Sequence, residues 1–458
     1  MTLDDPTDDR ATAAPDPASG GPGSQTALAV AALSFSGRRL ADLPDLVRAL
    51  GHVKAAAAQA NRVACVLDED EAAAIEAAAL SLAAGHLDAT LVADPLAGGG
   101  AIAVHVNVNE ALADVANRSL DRAPGTDGAL DPKGSIGASQ STADVVHAAA
   151  RLAVLDATER LLATTAHLAG AIDAVADRAG DSPTLARTCL QDGLAVDARL
   201  LFDGSAAAIR RAADAISAAT EPLWVVVLGG TVVGTGDGAP AAYRSAVVPA
   251  LGAVTGRDLV GDPLPASRLQ HADDLVAVVE GVARLSGVAA KLARDLRLLS
   301  SGPRGGFGEV QLPAVMEGSS FFVGKVNPAV PESVVQANLQ VIGCRAVATA
   351  AAQEAELHLH GYDLTAAVAA LDAATVLDVA LDRFAHHCLA GLTFDEERGR
   401  ELAGYAAPSN ASEPKPVAPP IESPDRRPTP ASPWAATDGA DPSPSTNRPA
   451  PTRERGLR

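Results

Sequence analysis

Between Asp273 and Leu299 the apolar residues Leu275, Val278, Val279, Val282, Leu285, Ala289, Leu292, Leu296 and Leu299 recur at steps of mostly three or four. A stripe of that length is one face of a helix, because a strand alternates its faces every second residue. The pattern recurs. From Ser141 to about Asp177 the apolar positions are Val145, Ala149, Leu152, Leu155, Leu162 and Ile172, and further helices are predicted from about Asp192 to Ala219 and from Pro331 towards His358. Helices in globular proteins average about 11–12 residues, so several at twice that length predict a bundle of long helices. Alanine triplets at 148–150 and 350–352 put small residues on several faces. A helix apolar all round is buried all round, which predicts that subunits associate through the bundle.

Shorter elements precede it. A helix is predicted near Leu43 to Asn61, and another from Leu67-Asp68-Glu69 to Gly85 with Ala72, Ile75 and Leu80 facing inward. After Gly98-Gly99-Gly100, Val104, Val106 and Val108 alternate, and Asn107, Asn109 and Glu110 open a helix to Leu120; 123–137 reads as loop. Asp, Pro, Thr and Gly fill the first residues, and Pro, Ser and Thr fill the last, so neither end can bury a core. The expected organisation is a disordered tail over 1–22, a helical domain over 23–138 and the central bundle over 139–360. A small C-terminal helical domain over 361–406 and a disordered tail over 407–458 complete it.

The formal net charge of −20 repels nucleic acid and anionic membrane surfaces alike. Cys65, Cys189, Cys344 and Cys388 lie far apart without metal-ligand spacing, which fits free thiols in a reducing compartment. No apolar run reads as membrane-spanning, and the acidic N-terminus is no signal peptide, so a cytoplasmic location is expected.

One loop carries chemistry. Residues 317–342 read EGSSFFVGKVNPAVPESVVQANLQVI. Hydroxyls at Ser319 and Ser320 stand at the head of a Gly-flanked loop over 317–328. Lys325 and Asn327 supply a cation and an amide suited to holding a carboxylate. Pro331 and Glu332 then open a helix with Val335, Leu339 and Ile342 as its apolar positions. By composition alone a structural loop serves equally well.

Several pieces, taken in order, resemble the aspartase/fumarase superfamily, and closest to them stands aspartate ammonia-lyase. They are Gln25-Thr26, VNVNEALA at 106–113, SQSTAD at 139–144, RTCLQDG at 187–193, LGGTVVGTG at 228–236, LARDLRLLSSGPRGGFGE at 292–309 and the loop, which is similar to GSSxMPxKxNP. The resemblance implies a mainly α, three-domain subunit whose long helices form a twenty-helix core in a homotetramer, with active sites shared between subunits. It implies reversible anti β-elimination from an aspartate-like or substituted-succinate carboxylate, with neither cofactor nor metal. Ser319 matches the base that removes the Cβ proton to give an aci-carboxylate. Ser141, Thr142, Thr188, Ser320, Lys325 and Asn327 match substrate contacts. A fumarate hydratase-like C–O lyase and a catalytically degenerate scaffold are the alternatives.

Departures from the family pattern gather in the pocket. Its Gly-Thr-Ser element reads Ala101-Ile102-Ala103, its Asn after Ser-Thr is Ala143, and Cys189 stands where many members have His. Each lost charge-assisted hydrogen bond costs about 1.5–3 kcal/mol, so Ile102 and Ala143 predict a substrate less polar at that end than aspartate. Glu332 reads as a first-turn carboxylate, His386-His387 as a helix-end pair and LGGTVVGTGDG as backbone packing, since it lacks nucleotide-loop spacing.

Overall fold

The computed structural model describes residues 23–316, 318 and 321–407, so the expected tails lie, but for Ala407, outside the described residues. Among the described residues there are twelve helices. Helices α1 (Ser24–Leu33), α2 (Pro44–Val63), α3 (Glu69–Ala83) and α4 (Ile102–Ser119) come first, then the 38-residue α5 (Thr142–Ala179). A hairpin of β1 (Pro183–Thr188) and β2 (Gln191–Asp197) leads into α6 (Arg199–Thr220), α7 (Ala241–Thr255), α8 (Pro265–Gln270) and α9 (Asp273–Leu299). Helices α10 (Ala329–Ala352), α11 (Asp363–Phe384) and α12 (Glu396–Ala403) follow. Helices α5, α6, α9, α10 and α11 pack along one another as the bundle. The predicted α9 stripe is its spine: every position from Leu275 to Leu296 is buried, and Leu299 partly so.

Helix α5 begins where its capping chemistry dictates. The Ser141 hydroxyl accepts from the Ala143 N–H, and the Asp144 carboxylate accepts from the Ser141 N–H, 2.9 Å away. The second Asp144 oxygen accepts from the Gly229 and Thr231 N–H groups at 3.0 and 3.1 Å. The Gly-rich 228–236 loop is thereby tied to the start of α5. Gly234 has a φ of +85°, and an added Cβ there would lie 2.3 Å from the Ala266 nitrogen, so only glycine fits.

Four expectations about individual elements are corrected. Val104 to Val108 is not a separate alternating run but part of α4, which starts at Ile102. A short alternation also matches the i, i+4 spacing of a helix, and buried Leu112 continues it. Asp192 to Asp197 belongs to β2, and the helix there begins only at Arg199. Leu80 faces solvent. On α10 the buried positions are Val334, Ala337, Asn338, Val341 and Ala348, while Leu339 and Ile342 point outward. That helix is apolar nearly all round, so periodicity alone cannot choose its inner face.

Helix α11 packs against α10, α5 and α9. The stretch Asp363–Leu389 is also long and apolar enough to cross a membrane by length and composition, contrary to the sequence reading. Most of it is buried, as befits a core helix.

Candidate active site

At the N-terminus of α5 three helices converge on one buried chain of hydrogen bonds. The Thr142 hydroxyl lies 2.8 Å from His105 Nδ1 on α4. His105 Nε2 lies 2.7 Å from Lys54 Nζ on α2, and Lys54 donates to Gln140 Oε1 at 2.8 Å. Gln140 donates its amide hydrogens to the carbonyls of Ile136 and Ala138, which fixes its oxygen towards Lys54. As an ammonium, Lys54 donates to both neighbours. His105 then carries its proton on Nδ1 and donates it to Thr142 Oγ1, leaving the threonine O–H free for a ligand.

Lys54 is completely buried, and that burial pushes its pKa down to about 7 against the opposing charge of Asp144. Burial likewise pushes Asp144 up, while the three N–H donors and Lys54 pull it back. Burial and the charge of Lys54 hold His105 well below the usual histidine range. A lysine whose pKa is lower folded than unfolded binds fewer protons in the native state, so its contribution to stability rises with pH between the two values. We therefore expect the stability of the wild type relative to Lys54→Met to climb by about 1 kcal/mol per pH unit from pH ~7 to pH ~10. Urea unfolding of both proteins across that range checks it; a flat difference contradicts the assignment.

Beside Thr142 a cavity of about 30 Å³ is lined by Ala101 and Ala143, together with His147, His360 and Asp363. Ala101 ends the preceding glycine run in a left-handed conformation, φ +55°, which turns Ile102 outward into solvent while Ala103 is buried. Ile102 therefore does not wall this cavity. Ala143 does. Ser141 is spent on the helix cap.

Thr188, Cys189, Lys325 and Asn327 lie elsewhere on the chain. Thr188 and Cys189 are exposed at the tip of the hairpin, where Cys189 and Leu190 form its two-residue turn with φ values of +52° and +62°. Such turns favour Asn-Gly, and side chains of this kind are strained there. Next to that turn the hairpin is anchored, since Arg187 pairs with buried Glu309 at 2.7 Å and lies over the Phe307 ring. In the loop, Gly318 N–H donates to the Lys325 carbonyl at 2.9 Å, and the Asn327 amide reaches the Gly318 carbonyl at 3.4 Å. Lys325 is exposed, with Nζ 5.7 Å from the Phe322 ring centre. Ser319 and Ser320 lie outside the described residues. Thr188, Lys325 and Asn327 do not line the cavity beside Thr142.

Sequence reasoning missed Lys54, His105, Gln140, His147, His360 and Asp363. A signal existed for two of them. Lys54 interrupts an Ala-rich apolar run, and His147 follows Ala143 by one helical turn. Arg151, a further turn along, is buried and forks between Asp274 and Asp363.

A family model described as lyase matches residues 29–343. Aspartate ammonia-lyase of Pseudomonas aeruginosa is 36% identical over 389 residues, covering 84% of this chain and 81% of that protein. Class II fumarate hydratase of Xylella fastidiosa is 33% identical over 381 residues, covering 83% and 79%. The native crystal structure of the fumarate lyase:delta crystallin from Brucella melitensis superposes with a TM-score of 0.79 at 34% identity, covering 83% of this chain and 86% of that one. The class II fumarase of Schistosoma mansoni, 23% identical with a TM-score of 0.80 over 83% of each chain, shares the fold.

Proposed function

Since the chain belongs to the lyase family that takes in aspartate ammonia-lyases and class II fumarases, we propose that it is a carbon–nitrogen lyase acting on an aspartate-like or substituted-succinate carboxylate. Ser319 removes the Cβ proton, and its electrons pass into the adjoining carboxylate. The C–N bond then breaks with both electrons on nitrogen, which takes up a proton and leaves as ammonia or an amine beside a fumarate-type alkene. A serine base works only where cations and N–H donors stabilise the charge it creates, which is the part given to Lys325 and Asn327. The observation that carries this reading is Thr142, whose hydroxyl is held 2.8 Å from His105 Nδ1 at the head of α5, in a chain that continues to Lys54. The 292–309 segment and SQST favour the C–N reaction over the C–O reaction of a hydratase.

The substrate contacts Thr142, Thr188 and Lys325 do not gather at one cavity of a single chain, which supports sites shared within a homotetramer. The outward apolar residues Leu339, Ile342 and Val347 on α10, and Val376 and Val379 on α11, offer a face for that assembly.

Proton exchange at Cβ in deuterated buffer tests the reading on aspartate, malate and substituted succinates. We expect exchange with substituted succinates, in a protein whose light-scattering mass is that of a tetramer. Exchange with none of them sinks the lyase, and exchange by a monomer sinks the shared site. Ala143→Asn, alone and with Ile102→Thr, is expected to raise aspartate turnover at least tenfold, because one restored charge-assisted bond is worth about 1.5–3 kcal/mol. If turnover does not rise, the pocket argument fails.

A further inference from the structure

His147 is buried, 4% exposed, and neither ring nitrogen has a partner among the described residues. It stands one turn after Ala143 on the same face of α5 and lines the cavity beside Thr142. His360, 3% exposed, lines the same cavity. Its Nδ1 accepts the Tyr362 N–H at 3.2 Å, so the ring carries its proton on Nε2, which has no partner among the described residues. Asp363 spends one carboxylate oxygen on Arg151 and leaves Oδ1 unpaired. Burial and the charge of Arg151, opposed by Asp363 and Asp274, push His147 down to about 4, so its imidazole is neutral.

Buried polar atoms are nearly always paired, so three side chains with unpaired atoms around one cavity mark a place built for a ligand group. The inventory defines that group. His360 Nε2–H requires an acceptor, Asp363 Oδ1 requires a donor, and neutral His147 offers one of each. A carboxylate has no hydrogen to give Asp363, and an ammonium has no lone pair for His360. A cavity of about 30 Å³ has room for a hydroxyl or a carboxamide and not for a ring.

Resting on the lyase reading above, we infer that His147, His360 and Asp363 form a specificity subsite for a neutral hydroxyl or carboxamide carried by the leaving amine of the substrate. Ala143 lines the same cavity, and an asparagine side chain there would take up part of its room. A site that demands both a donor and an acceptor rejects an isostere lacking them far more strongly than an apolar pocket rejects a hydroxyl.

Matched pairs test this: N-hydroxyethyl-aspartate against N-propyl-aspartate, and N-carbamoylmethyl-aspartate against N-isobutyl-aspartate. Cβ exchange is measured for each at limiting substrate concentration. The polar member is expected to exchange at least tenfold faster in each pair, and His147→Leu is expected to bring the ratio close to one. That variant also removes a buried unpaired imidazole, so its thermal midpoint rises. A residue with only a structural role would lower the midpoint and leave the ratio intact. His147→Gln, which keeps a donor and an acceptor, retains part of the preference and covers a failure of His147→Leu to fold. A wild-type ratio of one or below overturns the subsite, as does a ratio that survives His147→Leu. Exchange with aspartate and none of the four compounds overturns the subsite alone. Exchange with no compound at all overturns the lyase reading and the subsite with it.

Discussion

Ser319→Ala is expected to lower Cβ proton exchange and turnover by about 10²–10⁴-fold while leaving substrate affinity within a few-fold, since a general base acts in the transition state and contributes little to ground-state binding. Lys325→Met should show the opposite split, weakening affinity through the loss of a charged anchor. The two variants together separate base from anchor. Single-turnover exchange and equilibrium binding of a non-reacting succinate measure the two quantities. A Ser319→Ala protein with undiminished exchange ends the assignment. The neck of the loop is closed: the chain doubles back so tightly that a Cβ on Gly318 would lie 2.3 Å from the Lys325 carbonyl oxygen. Asn327 also spends its amide on that neck, so in this arrangement it braces the loop, and it must turn to meet a carboxylate.

The largest effect on stability is expected from Arg151→Met. Arg151 is 1% exposed, with Nη2 2.9 Å from Asp274 Oδ1 and Nη1 bonded to Asp363. Taking the guanidinium away leaves Asp363 without its ion-pair partner and Asp274 with only Arg268, whose Nη1 lies 3.6 Å from Oδ2, and breaking such a buried group from one side costs about 3–5 kcal/mol. The pH dependence distinguishes this from a packing loss. Burial pushes Asp274 up, but the charge and hydrogen bonds of Arg151 overcome it and hold the carboxyl at about 2, below its ordinary 3.8. A depressed carboxyl contributes stability that is complete above its unfolded pKa and is lost as pH falls through the folded value. In Arg151→Met the strongest opposition to burial is gone and only weaker partners such as the Leu275 N–H and the more distant Arg268 remain, so the same carboxyl destabilises at neutral pH and is relieved by protonation. The deficit of the variant should therefore be largest near pH ~7 and shrink as the pH falls towards ~4. Denaturant midpoints at several pH values check this, and a deficit independent of pH contradicts it.

Much of the fold was legible because long stripes leave little choice. The α9 residues predicted from three- and four-residue steps are the helix found, to the residue at both ends. The errors fall where the pattern carries less information. Val104, Val106 and Val108 fit two periods at once, and α10 is apolar on too many sides for its inner face to be read. The β2 strand was missed because its pairing partner, β1, lies on the far side of the Cys189-Leu190 turn, and pairing is a property of two segments rather than one.

For the candidate site, the sequence by itself determined the residue types: a serine-bearing loop with Lys325 and Asn327, the Ser141-Thr142 pair at a helix start, and an apolar Ala143 beside them. These are local, since each rests on spacing within a few residues of one segment. Only the tertiary structure decided that Lys54, His105 and Thr142 form one chain, and that Ala143, His147, His360 and Asp363 share a cavity, because those residues are brought together by the packing of α2, α4 and α5 and by the turn before α11. The physical reason is the range of the forces. Helix periodicity and capping act over one or two turns of chain, whereas burial, which pushes Lys54 to about 7 and His147 to about 4, is set by segments as far as 212 residues apart, and the local sequence does not name those partners.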